Sequence, residues 1–327
     1  MNAPLALGVI GCGRVTERYY VPAFARLLEI RVAAVADRSE ARSRLIAARF
    51  PGCRAFDSAE ALFDGTAVQG VVIATPPETH LDIARLALRR GLAVFVEKPL
   101  ARSDGAEDEL PSLETLPDRL VMLGFNRRYW DAVRRLREAL RAHRKAPEIS
   151  ARLAISGNPR TWGAVSDGSD ALDDQGSHHL DLIRYLFDRE VIAVSAQWTD
   201  PQSISMRVKL AGGVVAECVA AHNDRPGESI AVDCGGRLYR IRRGSERVQP
   251  SGGRWRAALD AMDTWRRRLQ GRRSSLRRSY EEQLRQFARG IRSGAALEPG
   301  FADGLAVLRI AQAARRSAAR GGAEVSL

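Results

Sequence analysis

The sequence predicts a two-domain α/β protein: a doubly wound parallel sheet over residues 1–124, then an α+β domain with a mostly antiparallel sheet over residues 125–327. Three observations carry that prediction. The first 124 residues hold short, unbroken apolar runs separated by helix-like stretches, the pattern of strands buried on both faces of a parallel sheet. A glycine turn, Gly11-Cys12-Gly13, follows the first such run. After Asn126 the runs become half-alternating and are bounded by Gly, Pro, Asn and Asp, as in antiparallel strands.

Residues 5–11 read as a short buried strand, and the stretch through residue 28 has helical composition with a bend at Pro22. A second apolar strand, 32–36, ends at Asp37 and leads to a helix over 40–49. The run 71–74 stops at Thr75-Pro76-Pro77, and 79–90 reads as a helix that Gly91 terminates. Strands over 92–96 and 120–124 complete the first domain. Beyond it, strands are expected over 148–156, 192–198, 203–210, 214–221, 229–234 and 238–242, with helices over 174–187, 255–292 and 303–320. No internal repeat or low-complexity linker separates the halves, so tight packing is expected, with the active site in the cleft between them.

At 327 residues and 45% apolar composition, the chain can supply a core for each domain. Cys12, Cys53, Cys218 and Cys234 show neither metal-ligand spacing nor a disulfide framework. Met1 leads into an apolar strand without a basic leader, and no 18 apolar residues follow one another, so a reducing, cytoplasmic setting is expected. The formal charge of +12 has a focus over 254–278, where arginines interleave with Trp255 and Trp265. No nucleic-acid motif accompanies it, so it reads as a solvated or subunit-contacting helical face. Neither nucleic acid nor membrane is an expected partner.

Gly11-Cys12-Gly13-Arg14-Val15-Thr16 meets only the first two glycines of G-x-G-x-x-G, with Thr16 at the third. Its setting strengthens it: a strand precedes, a helix follows, and Asp37 ends the next strand. Gly11 permits the tight turn, Gly13 lets the backbone approach a pyrophosphate, and the helix N-terminus stabilises the charge. Cys12, Arg14 and Val15 complete the expected cofactor loop. Asp37 can accept hydrogen bonds from a ribose diol and repel a 2′-phosphate, which favours NAD over NADP. Arg38 works the other way, since its guanidinium can meet a phosphate or stack on adenine.

Lys98 sits at the end of the 92–96 strand, where open parallel sheets present ligand-binding groups. In Asp174-x-Gly176-x-His178, helical spacing puts Asp174 and His178 on one face, with Asp181 three residues on. A histidine is the usual group for taking a proton from an alcohol near neutral pH, and a carboxylate can orient the substrate or the imidazole. The residues alone leave structural roles open: Asp173 or Asp174 as a helix cap, His178 or His179 as a core histidine. Trp162 is a candidate for stacking on a sugar face or the nicotinamide.

Together these segments resemble the Gfo/Idh/MocA oxidoreductases. The resemblance spans nearly the whole chain. It runs through Gly8-Val9-Ile10-Gly11-Cys12-Gly13-Arg14, Ala74-Thr75-Pro76-Pro77 with His80, Val96-Glu97-Lys98-Pro99-Leu100 and Gly124-Phe125-Asn126-Arg127-Arg128. It continues through Asp174-Gln175-Gly176-Ser177-His178 to Tyr185, and a late segment from Ser279 to Leu305.

The resemblance implies a Rossmann domain joined to an open-faced sheet that often serves as an oligomer interface, hence a dimer or tetramer. It implies hydride transfer between NAD or NADP and a secondary alcohol of a sugar, sugar derivative or cyclitol. Lys98 and His178 would act on the substrate hydroxyl and Asp174 would position it. Thr75, Pro76, His80, Glu97 and Asn126 would line the cofactor pocket, and Arg127 would reach the nicotinamide or the substrate. The Lys98-Pro99 peptide is expected to be cis. Thr16 and the arginine-rich segment before Tyr280 depart from the family pattern. The same family includes redox-neutral glycosidases that retain NAD, and nucleotide-sensing regulators; a regulator would not need the complete Lys98, Asp174 and His178 set.

Overall fold

The computed structural model describes residues 3–104, 120–143, 148–162, 169–242, 249–250 and 275–327. The chain divides into two units, the first formed by Met1–Phe125 and Tyr280–Leu308, the second by Asn126–Ser279 and Arg309–Leu327. The single boundary expected from the sequence, after residue 124, left 280–308 with the second domain. The chain instead returns to the first unit there. Phe287 lies edge-on to Phe95 with ring centroids 5.8 Å apart, and Tyr280 stacks on Tyr19 at 4.7 Å. Covering apolar surface drives this return.

The first unit holds a six-stranded sheet of β1 (Leu5–Ile10), β2 (Ile30–Ala36), β3 (Arg54–Phe56), β4 (Gly70–Ile73), β5 (Ala93–Val96) and β6 (Val121–Leu123). Its order is β3-β2-β1-β4-β5-β6 and every pair is parallel. Every residue of β1, β4, β5 and β6 is buried, as the unbroken apolar runs require. The order reverses at β1 and β4, so the loops after these strands open apart and leave a crevice at their carboxyl ends.

The helix expected after the glycine turn is irregular. A wide π turn, Thr16–Tyr20, passes into the short α1 (Val21–Phe24). Pro22 has no N–H to donate, so an ordinary helical ladder cannot run through it. The helices α2 (Glu40–Ala47), α3 (Ala59–Gly65) and α4 (His80–Arg89) follow.

In the second unit, β7 (Ile149–Gly157), β8 (Val191–Asp200), β9 (Ser203–Leu210), β10 (Val214–His222), β11 (Gly227–Cys234), β12 (Arg237–Arg242), β13 (Gln249–Pro250) and β14 (Val325–Ser326) form one sheet. The order is β13-β12-β11-β7-β10-β9-β8-β14, antiparallel among the described residues except for the parallel pair β7 and β10. Inward positions along β7 are buried while Ser150, Arg152 and Ala154 are exposed, the alternation of a sheet with one covered face.

The unit also contains α5 (Asp131–Arg141), α6 (Pro159–Trp162) and α7 (Ser177–Phe187), the last entered through a second π turn, Leu172–Gly176. The closing helices are α8 (Ser275–Ser293) and α9 (Phe301–Ala319). The arginine-rich stretch before residue 275 lies outside the described residues. No described helix is long and apolar enough to cross a membrane.

Candidate active site

In the first unit the glycine loop is shaped by what side chains cannot do. Gly11 has φ +94°, and a Cβ there would stand 2.5 Å from the Ala74 carbonyl oxygen. Only glycine fits. At Gly13 an added Cβ meets nothing within 4 Å, so this backbone faces open space at the start of the helical segment. That is the room a dinucleotide pyrophosphate needs, with helix N–H groups at hand. Thr16, where the motif has its third glycine, is 1% exposed and donates its hydroxyl to the Gly11 carbonyl at 2.6 Å. The substitution therefore locks the turn. Arg14 is exposed and Val15 half-buried at its rim.

Asp37 lies beside this loop. Its Oδ2 accepts the Cys12 N–H at 2.7 Å and its Oδ1 accepts the Ser39 N–H at 2.8 Å. Each oxygen keeps a second acceptor site, so the carboxylate is oriented by the loop yet able to take a ribose hydroxyl. Burial, reinforced by the Asp37 charge, pushes the Cys12 thiol up to about 12. It stays neutral beside the acid. Arg38 is exposed. The loop and Asp37 thus fit an adenine dinucleotide.

At the ends of β4 and β5, Thr75, Pro76 and Lys98 are half-buried and the Lys98-Pro99 peptide is cis. Glu97 is anchored twice: Oε1 accepts the Tyr20 hydroxyl at 2.6 Å and Oε2 accepts the Lys98 N–H at 3.1 Å. Burial, and then the Glu97 charge, hold Tyr20 protonated well above its ordinary range. His80 is 1% exposed, and its Nδ1 and Nε2 lie 2.8 Å from the carbonyl oxygens of Pro99 and Thr75. Burial lowers its pKa while the two carbonyls oppose that shift. Both ring nitrogens face backbone carbonyls, and the neutral ring donates its one N–H to one of them. The sequence placed it in the cofactor pocket; its ring nitrogens face the protein's own carbonyls.

The second unit holds Asn126, Arg127, Asp174 and His178. Asp170 caps the π turn, its Oδ1 accepting the N–H groups of Leu172 and Asp173 at 3.0 and 3.1 Å. Arg315 binds Asp170 and Asp173 at 2.7 and 3.1 Å. The capping role that the sequence left open for Asp173 or Asp174 therefore falls to Asp170. Asp174 is engaged otherwise: its Oδ2 lies 2.7 Å from the Gln175 amide nitrogen and 3.1 Å from His222 Nε2.

His178 is the second residue of α7 and is 4% exposed. Its Nε2 lies 2.6 Å from an Arg127 guanidinium nitrogen. A guanidinium only donates, so this contact assigns Nε2 a lone pair and the ring a neutral state. Arg127 also donates to Asn126 Oδ1 at 3.0 Å, approaches Glu228 at 3.5 Å and lies over the Trp130 ring. Arg128 grips the fully buried Asp181 through Nε at 3.0 and 3.1 Å and stacks over Tyr185, which gives Asp181 a structural role. Burial, and then the Arg127 charge, pull the His179 pKa down to about 3. Trp162 ends α6, and its side chain lies outside the described residues.

Residues 5–125 match the family described as "Oxidoreductase family, NAD-binding Rossmann fold", the Gfo/Idh/MocA group. Inositol 2-dehydrogenase of Rhizobium meliloti is 27% identical over 334 residues, covering 95% of this chain and 96% of that protein. Inositol 2-dehydrogenase 2 of Saccharopolyspora erythraea is 31% identical over 194 residues, 58% of this chain and only 56% of the relative. Among solved structures, a myo-inositol dehydrogenase of Corynebacterium glutamicum superposes with a TM-score of 0.78 at 19% identity, over 99% of both chains.

Residues 5–125 thus carry the NAD-binding domain of the Gfo/Idh/MocA oxidoreductases, and the relatives extend the likeness along the rest of the chain. In this oxidoreductase, four groups beside the expected residues escaped the sequence reading: Thr16 as a lock on the glycine turn, Tyr20 on Glu97, His222 on Asp174 and Glu228 near Arg127. The first sits inside the recognised motif. The other three lie between 48 and 101 positions from the residues they serve, too far for spacing to signal.

Proposed function

We propose that this protein is a dehydrogenase acting on CH–OH groups, which moves a hydride between NAD, in preference to NADP, and a secondary alcohol of a cyclitol or sugar. The observation that carries this reading is the buried His178, its Nε2 2.6 Å from Arg127, in the same unit as the Asp174 carboxylate held by His222, in a chain whose relatives include inositol 2-dehydrogenases. Bound nicotinamide dinucleotide supplies the hydride acceptor. The Gly11–Gly13 backbone holds its pyrophosphate, and Asp37 takes the ribose hydroxyls while repelling a 2′-phosphate.

His178 takes the hydroxyl proton at Nε2, the nitrogen whose lone pair faces Arg127, and Arg127 yields that lone pair as substrate enters. Lys98 stabilises the developing oxyanion or relays its proton, and Asp174 fixes the alcohol's orientation. We further infer a homo-oligomer formed through the solvated face of the second unit's sheet, where Arg152, Glu217 and Val219 are exposed, and a cytoplasmic setting in keeping with four free cysteines.

The test is to mix purified protein with NAD⁺ or NADP⁺ and a panel of inositols, free sugars, sugar phosphates and nucleotide sugars, and follow reduced nicotinamide. Sustained reduction with a polyol, faster with NAD⁺, is the expected outcome. A transient, substoichiometric reduction would replace this reading with a redox-neutral glycosidase, and cofactor binding with no reduction across the panel would replace it with a sensor.

A further inference from the structure

His222 was not among the residues expected at the site, yet it is held against one of them. It closes β10, its side chain is 4% exposed, and its Nε2 lies 3.1 Å from Asp174 Oδ2, whose own side chain is 11% exposed. The same oxygen receives the Gln175 amide at 2.7 Å. An oxygen already accepting from an amide is a carboxylate acceptor, so His222 Nε2 is the donor.

The platform behind this pair is rigid. The His222 N–H bonds the Gln202 carbonyl at 2.8 Å, and the next residue, Asn223, bonds the carbonyl of Gly157 at 2.9 Å. Gly157 is the parallel-register partner of His222 on β7. A Cβ on Gly157 would stand 2.7 Å from Gln175 Nε2, so the bare glycine is what seats the Gln175 amide. Two adjacent strand ends thus supply both donors: β10 directly through His222, β7 by making room for Gln175. Asp174 itself sits in a π turn, an element often found at functional sites.

We propose that His222 is a positioning residue of this site, which transfers the rigidity of the sheet to the Asp174 carboxylate and so fixes the direction in which that carboxylate meets the substrate. The structural bond stands independently of the reaction; its consequence for turnover rests on the dehydrogenase reading above. Losing His222 removes one of the two donors that this platform gives the carboxylate and so loosens its orientation. A hydrogen bond to a charged group corresponds to roughly a tenfold or larger change in an equilibrium constant.

The experiment has two arms on the intact chain. In the first, histidine-labelled protein is observed through its imidazole N–H resonances. Wild type shows a downfield, slowly exchanging Nε2–H signal that His222→Gln removes, which assigns it, and that Asp174→Ala also removes. Survival of the His222 signal in Asp174→Ala overturns the proposal. In the second, steady-state kinetics with the oxidised polyol show His222→Phe raising KM by about tenfold with a smaller change in kcat, and His222→Gln, which keeps an N–H donor, restoring most of the loss. His222→Phe with an unchanged KM, or His222→Gln no better than His222→Phe at equal thermal stability, overturns it. A wild type that oxidises no polyol sinks the dehydrogenase reading alone, and the Nε2–H signal still decides whether His222 holds Asp174.

Discussion

The glycine loop of the first unit and the Asp174 turn of the second are both irregular passages into a helix, and both include a π turn. They are held by opposite means. Around Gly11 the backbone does the shaping: a positive φ, a carbonyl too close for any Cβ, and open space at Gly13. Around Asp174 side chains do it: Asp170 holds two backbone N–H groups, Arg315 two carboxylates, and Gln175 and His222 together the Asp174 carboxylate. A backbone-shaped site belongs to a ligand recognised by charge and close approach, a side-chain-shaped one to a reaction in which protons must be placed on chosen atoms.

The largest expected effect tests the side-chain half. His178→Ala and Lys98→Ala should each lower turnover by at least about a hundredfold while dinucleotide binding persists, because general acid–base groups contribute at the chemical step. Near-normal rates in both variants, with the true polyol, would remove these residues from the mechanism.

Next comes a pair that tests the backbone half. Gly13→Ala adds a methyl that no protein atom opposes, so thermal stability should hold while dinucleotide affinity falls by about tenfold or more as the methyl fills the pyrophosphate's approach. Gly11→Ala forces its Cβ against Ala74 and an unfavourable φ, so it should lose stability, by more than about 1 kcal/mol, as well as binding. Equal behaviour of the two, read by thermal unfolding and nucleotide titration, would mean that Gly13 does not face the cofactor.

The same division explains what could be read in advance. Buried parallel strands and the glycine turn are written locally, in unbroken apolar runs and in residues that tolerate unusual backbone angles, so five of the six strands of the first sheet were visible. The missed strand, Arg54–Phe56, is three residues long with Arg54 and Ala55 exposed, too short for any period to register. The spacing argument that paired Asp174 with His178 assumed a regular helix; the π turn widens that stretch, and the two residues take different partners, His222 and Arg127. His222 and Glu228 were invisible because strand register, not sequence separation, brings them to Asp174 and Arg127. The return of residues 280–308 to the first unit likewise depends on long-range packing of Phe287 and Tyr280, which no local pattern encodes.

A smaller effect concerns Asp37, where the two means of construction meet. Asp37→Asn keeps an oxygen for one of the Cys12 and Ser39 N–H groups but removes the charge. NAD binding should weaken only a few-fold, while the ratio of NADP to NAD affinity should rise by about tenfold as the repulsion of a 2′-phosphate is lost, a difference near 1.4 kcal/mol. An unchanged ratio by competitive titration would show that Arg38, not Asp37, sets the cofactor preference.

The smallest effect on turnover, and a distinct one on stability, belongs to His179. The ring is fully buried; neither nitrogen makes a hydrogen bond among the described residues, and Nε2 lies 3.8 Å from the buried Glu228 Oε1. Burial, and then Arg127, lower its pKa from the model-peptide 6.5 to about 3. In the unfolded chain the ring takes up a proton as the pH falls through 6.5, whereas in the folded protein it stays neutral until about pH 3. Between those limits the unfolded state binds more protons, so stability rises with pH across the window and is lost as pH falls from 6.5 towards 3. The slope from one such group is at most about 1.4 kcal/mol per pH unit. His179→Phe, which keeps a ring in the cavity and removes the titration, should flatten this limb relative to wild type and leave the region above pH 7 parallel. Chemical denaturation at a series of pH values measures the difference directly. Curves that stay parallel down to pH 4 would mean that His179 gains a proton in the folded protein, and that the acid–base chemistry around Arg127 is shared by two histidines instead of being concentrated on His178.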